Sequence, residues 1–227
     1  DSTALGFLAG FTGVAMQQML HSFGITDDFV RLDDGFSRIN VKIKAEEESE
    51  INGQGPVITE DAQRALFDRL DRLKSGDTLV LAGSIPNTLP DDMYERIMEH
   101  LSGRGIRIVV DATKNLLRRV LKYRPFLIKP NNHELGEMFG VVLKTDDEIV
   151  AHAKKLQEEG AENVLISMAG DGAILLTREG VFYRSAAPKG TLVNSVGAGD
   201  SMVAGFLAGF MESDGDYARA FYMGVAT

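Results

Sequence analysis

The 227-residue chain has 33 acidic and 24 basic residues, a formal net charge of -9. This excess of acidic groups disfavours nucleic acids and anionic membranes as partners. The chain has no cysteine, which excludes disulfides, thiolate catalysis and cysteine zinc sites. No apolar run approaches the roughly 20 residues that a membrane helix needs. These features predict a cytoplasmic protein, and the length fits one large α/β domain or two small ones.

Apolar runs that predict buried strands alternate along the chain with amphipathic stretches that predict helices. In chain order, the predicted strands are 3–9, 77–83, 106–112, 126–131 and 163–170, and the clearest predicted helices are 12–24, 59–74 and 90–105. Repeated strand–helix units predict a mainly parallel sheet covered on both faces. Ligands of such sheets bind beyond the carboxyl ends of the strands. The residues at these ends are Ser84, Asp111, Asn131 and Gly170.

Residues 27–55 interrupt the alternation. Asp34-Gly35 is a hairpin signal between two alternating runs, which predicts a small antiparallel excursion from the main domain. In the following run, one strand face would carry Arg38, Asn40, Lys42 and Lys44, and the other Ile39, Val41 and Ile43. A row of cations in an acidic protein is either a solvated strand face or a clamp for an anion. The pattern leaves both interpretations open.

The stretch NSVGAGDSMVAGF, residues 194–206, places Asp200 directly after three small residues and before an apolar run. Glycines at a helix N-terminus let backbone N–H groups approach an anion closely. The dinucleotide fingerprint is excluded because its third glycine is missing, and no Gly-Lys-Ser/Thr follows to make a P-loop. Asp200 is therefore either a helix cap or a base beside bound phosphates.

Three further stretches each allow a structural and a functional interpretation. Asn131 and Glu134 have the spacing of a capping box, which would also let an amide and a carboxylate orient the water ligands of Mg²⁺. The run SMAGDGA, residues 167–173, is a hairpin turn or a ligand loop. Ser84 in LAGSIP ends a strand, where it would contact a substrate or simply belong to a turn.

Together these stretches resemble the PfkB (ribokinase-like) carbohydrate kinases, in order along the whole chain. The segments that carry the resemblance are NSVGAGDSMVAGF, LIKPNNHELGEMFG, SMAGDGA, SRINVKIK and LAGSIP. The resemblance implies a three-layer α/β/α sandwich with a small β-lid. The nucleotide- and substrate-binding core would be residues 1–26 and 56–227, and the lid 27–55. The family's N-terminal strand and diglycine motif have no counterpart here, and neither does its C-terminal segment that faces the nucleotide, so we expect a chain truncated at both ends.

By this resemblance, catalysis belongs to the start of the helix that follows residue 196. Asp200 would be the catalytic base. The backbone of Gly197, Ala198 and Gly199 would form the anion hole for the transferring phosphoryl group. A capping role for Asp200 is compatible with this assignment.

The resemblance also implies where nucleotide, metal and sugar phosphate bind. Asn131 and Glu134 would organise Mg²⁺ and the nucleotide phosphates, Glu134 acting on the metal through water. The residues that would border ATP are Ser167, Gly170, Asp171 and Gly172. Those that would hold the sugar phosphate are Arg38, Lys42 and Ser84.

The implied activity is ATP- and Mg²⁺-dependent phosphorylation of fructose 1-phosphate to fructose 1,6-bisphosphate. The positive charges of Arg38 and Lys42 do not specify which carbon bears the phosphate, so tagatose 6-phosphate and fructose 6-phosphate are alternative substrates. A non-catalytic sugar-phosphate sensor is an alternative of another class. The lid would also be the contact of a possible homodimer.

Overall fold

The computed structural model describes residues 2–44, 48–191 and 196–227. It contains two compact units, one made of Asp1–Ser75 and Ile85–Gly105, the other of Gly76–Ser84 and Ile106–Thr227. None of the helices in these described ranges has the length and apolar character that crossing a membrane requires.

Within the described ranges, the first unit consists of short strands and three helices. Its elements are β1 (Thr3–Ala4), β2 (Phe7–Ala9), α1 (Gly10–Ser22), β3 (Thr26–Asp27), β4 (Val30–Leu32), β5 (Asn40–Lys44), β6 (Glu48–Asn52), α2 (Glu60–Leu70) and α3 (Met93–His100). Strand β1 pairs with β3, and β2 with β4, both in parallel. Strands β5 and β6 form an antiparallel hairpin, with Val41 opposite Ile51.

The predicted hairpin at Asp34-Gly35 is wrong. The run before it forms β4, which pairs in parallel with β2 rather than with the run that follows. Gly35 does adopt a positive φ of 84°, so the chain turns there, but within the described ranges the two flanking runs do not pair with each other. The antiparallel pairing occurs one strand later, between β5 and β6.

Three buried hydrogen bonds hold the start of the β5 segment against the first turn of α1. The N–H of Ala9 donates to Ser37 Oγ, and the N–H of Ser37 donates to the Ala9 carbonyl, each at 3.0 Å. The Thr12 hydroxyl donates to the Ser37 carbonyl at 2.9 Å. Since buried polar groups must be paired, these bonds fix the backbone immediately before Arg38.

The second unit contains the main sheet. Its elements are β7 (Thr78–Ala82), β8 (Arg107–Asp111), α4 (Lys114–Val120), β9 (Leu127–Ile128), α5 (Asn132–Phe139), α6 (Asp146–Glu158), β10 (Asn163–Ser167), β11 (Ala173–Leu176), β12 (Phe182–Ser185), α7 (Ala198–Glu212) and α8 (Tyr217–Ala226), with 3-10 turns at Leu121–Tyr123 and Ala169–Asp171. The sheet order is β12-β11-β10-β9-β8-β7. Strands β7 to β10 are parallel, whereas β11 pairs antiparallel with both β10 and β12.

Helices cover both faces of this sheet. Ala173 and Leu175 of β11 belong to a buried cluster with Phe206 of α7 and Phe221 of α8. The alternate β11 residues, which face the other side, are also fully buried, and α6 contacts β10 and β11. Burial of each large apolar side chain contributes about 1.5–3 kcal/mol. The predicted α/β fold, with helices on both sides of a mainly parallel sheet, is confirmed.

Candidate functional site

The carboxyl ends of the parallel strands bring together polar groups that are distant in sequence. The N–H of Gly83, which follows β7, donates to the carbonyl of Asp111 at the end of β8, at 3.0 Å. Asn131, after β9, forms a parallel bridge with Ser167 at the end of β10. Ser84 is exposed two residues after β7. These residues therefore lie at the carboxyl edge of the sheet, as their positions after the apolar runs predict.

A buried ion pair at this edge, between Lys129 and Asp111, was not recognised from the sequence. Lys129 is only 8% exposed, and its Nζ lies 3.3 Å from Asp111 Oδ1. Burial raises the pKa of the Asp111 carboxyl; the Lys129 ammonium lowers it, and the nearby carboxylates of Asp200 and Glu134 raise it. One signal in the sequence could have found this pair. Lys129 directly follows an apolar strand, and a lysine at such a position is seldom buried unless it has a partner.

The first turn of α7 faces this lysine. Gly197 is the N-cap, with a φ of 82° that favours glycine, and its carbonyl accepts from the N–H of Ser201 at 2.8 Å. A Cβ atom on Gly199 would lie 2.9 Å from Lys129 Nζ, so glycine lets the helix start approach the ammonium. Backbone N–H groups, the helix dipole and a buried cation thus lie together.

Asp200 is the third residue of α7 and is exposed. It is not the N-cap, because Gly197 has that position. Within the described ranges its carboxylate is not engaged with a helix N–H. The predicted motif begins at residue 194, and its first two residues lie outside the described residues.

Asn131 and Glu134 form the capping box that their spacing predicts. The Glu134 N–H donates to Asn131 Oδ1, and the Asn131 N–H donates to Glu134 Oε2, both at 2.8 Å. Both residues are half-buried at the start of α5. The box uses one oxygen of Glu134 and fixes the direction of the carboxylate. The structural interpretation is confirmed, and a role toward metal-bound water is compatible with it.

The donor atoms at this edge fit Mg²⁺ held through water rather than by a protein cage. Among the residues that the structure describes, no group of three or more His, Asp or Glu side chains could by itself hold a metal ion. Mg²⁺ commonly keeps several waters and is bound by one or two carboxylates together with substrate phosphates. Glu134 and Asp111 offer carboxylates of that kind.

The turn between β10 and β11 contains the predicted nucleotide-binding glycines. Residues Ala169–Asp171 form one 3-10 turn, and β10 and β11 pair as an antiparallel hairpin, which confirms the hairpin interpretation of this run. A Cβ on Gly170 would meet no atom within 4 Å, whereas one on Gly172 would lie 2.0 Å from the Ser185 carbonyl oxygen. Gly170 and Asp171 are exposed, and Gly172 is buried.

The residues predicted to hold the sugar phosphate are distributed between the two units. Arg38 is exposed and lies two residues before β5 in the first unit. Lys42 lies within β5, but its side chain is outside the described residues. Ser84 belongs to the second unit. Neither unit alone contains all three.

Comparison with known proteins gives consistent results along the whole chain. The chain is 48% identical to 1-phosphofructokinase of Bacillus subtilis over 226 residues, covering 100% of this chain and 74% of that protein. It is 38% identical to D-tagatose-1-phosphate kinase of Bacillus licheniformis, covering 91% and 68%.

Solved structures lead to the same group. Phosphofructokinase-2 of Escherichia coli in complex with fructose-6-phosphate has a TM-score of 0.88 at 25% identity, covering 99% of this chain and 74% of that one. The tetrameric inhibited form of the same protein has a TM-score of 0.87. The profile of the pfkB family carbohydrate kinases matches residues 1–227. The chain, with its ribokinase-like fold, therefore belongs to the pfkB family of carbohydrate kinases.

Proposed function

We propose that this protein transfers the γ-phosphoryl group of ATP to the free primary hydroxyl of fructose 1-phosphate, giving fructose 1,6-bisphosphate and ADP in the cytoplasm. The observation that carries the proposal is the placement of the first turn of α7, with Asp200, beside the buried Lys129–Asp111 pair. The names of the relatives support a sugar 1-phosphate as the acceptor, since one is a 1-phosphofructokinase and another a tagatose-1-phosphate kinase.

The α7 turn and Lys129 stabilise the negative charge of the transferring group. The unpaired N–H groups at a helix start act as hydrogen-bond donors, and the helix dipole adds about half a positive charge there. Lys129 adds a full charge in a setting screened from water, where it acts more strongly than at an exposed position. Phosphoryl transfer relies mainly on positioning and charge stabilisation, which these fixed groups provide.

Asp200 accepts the proton of the substrate hydroxyl. As that oxygen forms its bond to the γ-phosphorus, the bond to the leaving oxygen breaks and ADP departs. Its carboxylate is exposed and is therefore accessible to an incoming hydroxyl. The base need act only late in a transfer of this kind.

Asn131 and Glu134 orient the nucleotide phosphates and the water ligands of Mg²⁺, with Asp111 as a second carboxylate at the same edge. When bound, Mg²⁺ neutralises charge on the phosphate oxygens. The capping box holds Glu134 in one orientation, so its carboxylate is preorganised for metal-bound water. The Lys129 ammonium opposes the rise that burial causes in the pKa of Asp111.

The remaining predicted residues bind the two substrates. We assign Ser167, Gly170, Asp171 and Gly172 to the nucleotide, with Gly170 facing it and Gly172 shaping the turn. Arg38, Lys42 and Ser84 are assigned to the sugar phosphate. Arginine suits this role because its fork of donors matches phosphate oxygens.

The β5–β6 hairpin lies within residues 27–55, the segment predicted to be the lid, and we propose that it forms a homodimer. The exposed apolar residues of one hairpin face are Ile39, Val41, Ile43 and Ile51. An apolar strand face exposed to water favours association. A second copy offers an identical, self-complementary face.

The test is ADP release with Mg-ATP and four acceptors: fructose 1-phosphate, tagatose 1-phosphate, fructose 6-phosphate and tagatose 6-phosphate. We expect the highest kcat/KM with fructose 1-phosphate. A preference for either 6-phosphate would overturn the substrate and keep the reaction. Binding of sugar phosphate by calorimetry without ADP release from any acceptor would overturn the enzyme and favour a sensor.

A further inference from the structure

One arginine of the edge strand β12 reaches back to the turn that carries Gly170. Nη1 of Arg184 donates to the carbonyl of Asp171 at 2.8 Å and to the carbonyl of Ser185 at 2.7 Å. Its Nε donates to Asp146 Oδ2, at the first residue of α6, at 2.9 Å. The side chain of Arg184 is 33% exposed. A single guanidinium therefore joins the turn, its own strand and a helix.

The turn itself requires such support. Ala169 has a positive φ of 46°, which non-glycine residues seldom adopt. The turn is closed by two short backbone bonds, Asp171 N–H to Met168 O at 2.9 Å and Gly172 N–H to Ala169 O at 3.0 Å. Strain of this kind persists only where surrounding groups determine the conformation.

Two contacts tie the far end of the turn to β12. The backbone of Gly172 lies so close to the Ser185 carbonyl that no side chain fits between them. The Arg184 guanidinium donates to the carbonyl of Asp171, which precedes Gly172, and to the same Ser185 carbonyl that Gly172 approaches. Gly170, by contrast, faces open space. The buried side of the turn is thus fixed to the strand, while its open side is left free for a ligand.

We propose that Arg184 is a positioning residue for nucleotide binding, which holds the Ala169–Gly172 turn through the Asp171 carbonyl, with Asp146 fixing the guanidinium. This inference rests on the proposed function only in assigning the nucleotide to that turn. Arg184 does not touch the nucleotide. It sets the backbone at Gly170 and Asp171, so its removal raises the entropy that nucleotide binding must overcome.

Arginine is the side chain that this position needs. The planar guanidinium presents donors in several fixed directions, which allows it to bond two carbonyls and a carboxylate at once. Lysine would retain the charge facing Asp146 but could not reproduce the fixed fork. Arg184→Lys therefore separates the ion pair from the positioning of the turn.

The experiment compares Arg184→Met and Arg184→Lys with Arg178→Met. Arg178 lies in the turn at the opposite end of the β11–β12 hairpin, where it is ion-paired with Glu162 and Glu179. We measure KM for ATP, KM for sugar phosphate and kcat, together with the Kd of ADP by calorimetry and the melting temperature.

For Arg184→Met we expect KM for ATP and the Kd of ADP to rise about five- to twentyfold, as for the loss of a hydrogen bond made by a charged group. KM for the sugar phosphate and kcat at saturation stay within about twofold. Arg184→Lys lies between wild type and Arg184→Met, and Arg178→Met matches wild type in all three constants.

Three outcomes would overturn the inference: an unchanged Kd of ADP in Arg184→Met, an equal rise of both KM values, or the same rise in Arg178→Met. A general loss of stability would lower the melting temperature of both Arg184→Met and Arg178→Met, but it would leave the ratio of KM for ATP to KM for sugar phosphate unchanged. Wild-type protein that binds ADP without releasing any from Mg-ATP would refute the proposed function. The calorimetric comparison would still decide the role of Arg184.

Discussion

The carboxyl edge of the main sheet and the β5–β6 hairpin differ in which kind of residue they bury and which kind they expose. At the sheet edge a lysine is buried, an aspartate is paired with it, and a carboxylate is locked in a capping box. On the hairpin, isoleucines and a valine face water. The sheet edge buries charged groups, which costs free energy, and the hairpin exposes apolar side chains whose burial would be favourable.

The difference indicates separate tasks. Burying a charge costs several kcal/mol unless partners and fixed dipoles compensate, so an arrangement like Lys129–Asp111 is typical of a site where charge is used. Exposed apolar surface stabilises nothing until another surface covers it. We therefore expect substitutions at the sheet edge to act on catalysis, and substitutions on the hairpin to act on association.

The largest effect is expected at Asp200. Asp200→Asn removes the proton acceptor and should lower kcat about 10²–10⁴-fold, as for a lost general base. Nucleotide binding, measured by ADP titration, should stay nearly unchanged. The matched control is Glu212→Gln, at the exposed far end of the same helix. Near-full turnover in Asp200→Asn would remove Asp200 from catalysis.

Lys129→Met should act on the same region through charge. The change keeps most of the length of the side chain, but it removes the cation beside the α7 turn and leaves Asp111 without its partner. We expect kcat to fall about 10²-fold, the scale of one lost charge-stabilising group, with a lower denaturation midpoint. Lys154→Met, at an exposed position of α6, is the control and should match wild type. Equal kcat in both variants would make the buried pair purely structural.

The effect of replacing a glycine of the β10–β11 turn or of α7 by alanine should depend on the space around that glycine. Gly172→Ala places a Cβ at 2.0 Å from the Ser185 carbonyl at a φ of 93° and should cost about 2–4 kcal/mol. Gly170→Ala, in open space, should stay within about 0.5 kcal/mol. Gly199→Ala places a Cβ at 2.9 Å from Lys129 Nζ; it should displace the ammonium and lower kcat more than stability. Urea unfolding and steady-state kinetics measure the stability and the kcat of the three variants. Equal stabilities of Gly172→Ala and Gly170→Ala would contradict the prediction.

On the hairpin, Ile51→Lys should weaken self-association by at least about tenfold, because a desolvated charge is costly at an apolar contact. Ile51 is already 61% exposed, so the fold itself should be unaffected. Sedimentation velocity over a range of concentrations measures the change. Val142→Lys, 80% exposed in the second unit, is the control. The same association in Ile51→Lys and wild type would place any dimer contact elsewhere.

The smallest effect is a pH dependence of stability at the sheet edge. The pKa of Asp111 is raised above 3.8 in the folded state, mainly by burial. At this carboxyl the folded state therefore binds more protons than the unfolded state just above pH 3.8, so the contribution of Asp111 to stability falls as pH rises through this window. Asp111→Asn should remove that fall.

Asp71 is a control because its contribution to stability should change with pH in the opposite direction. Hydrogen bonds from His100 and Arg104 lower the pKa of Asp71 below 3.8. Its contribution is present above pH 3.8 and is lost as pH falls toward the lowered value, so Asp71→Asn should flatten the curve only on the acid side. Denaturant midpoints between about pH 3 and pH 6 test both. Identical slopes for wild type and Asp111→Asn would contradict the assignment at Asp111.

The capping box is a feature that residues close together in the sequence are sufficient to predict. Asn131 and Glu134 are three residues apart, and their two bonds depend only on the helix that begins between them. The parallel sheet was predictable for a similar reason, since period and length of the apolar runs reflect local geometry. The Asp34-Gly35 prediction failed because both flanking runs suit a strand, and the partner of β4 is β2, more than 20 residues earlier.

The sequence by itself determined the alternation of strands and helices, the edge of the sheet where polar residues collect, and the family to which its motifs belong. Only the tertiary structure decided that Lys129 is buried, that it pairs with Asp111 and meets the α7 turn, and that Arg184 holds the turn before β11. Periodicity and capping act between residues a few positions apart. Burial and the pairing of charges depend on which distant segments the fold places side by side.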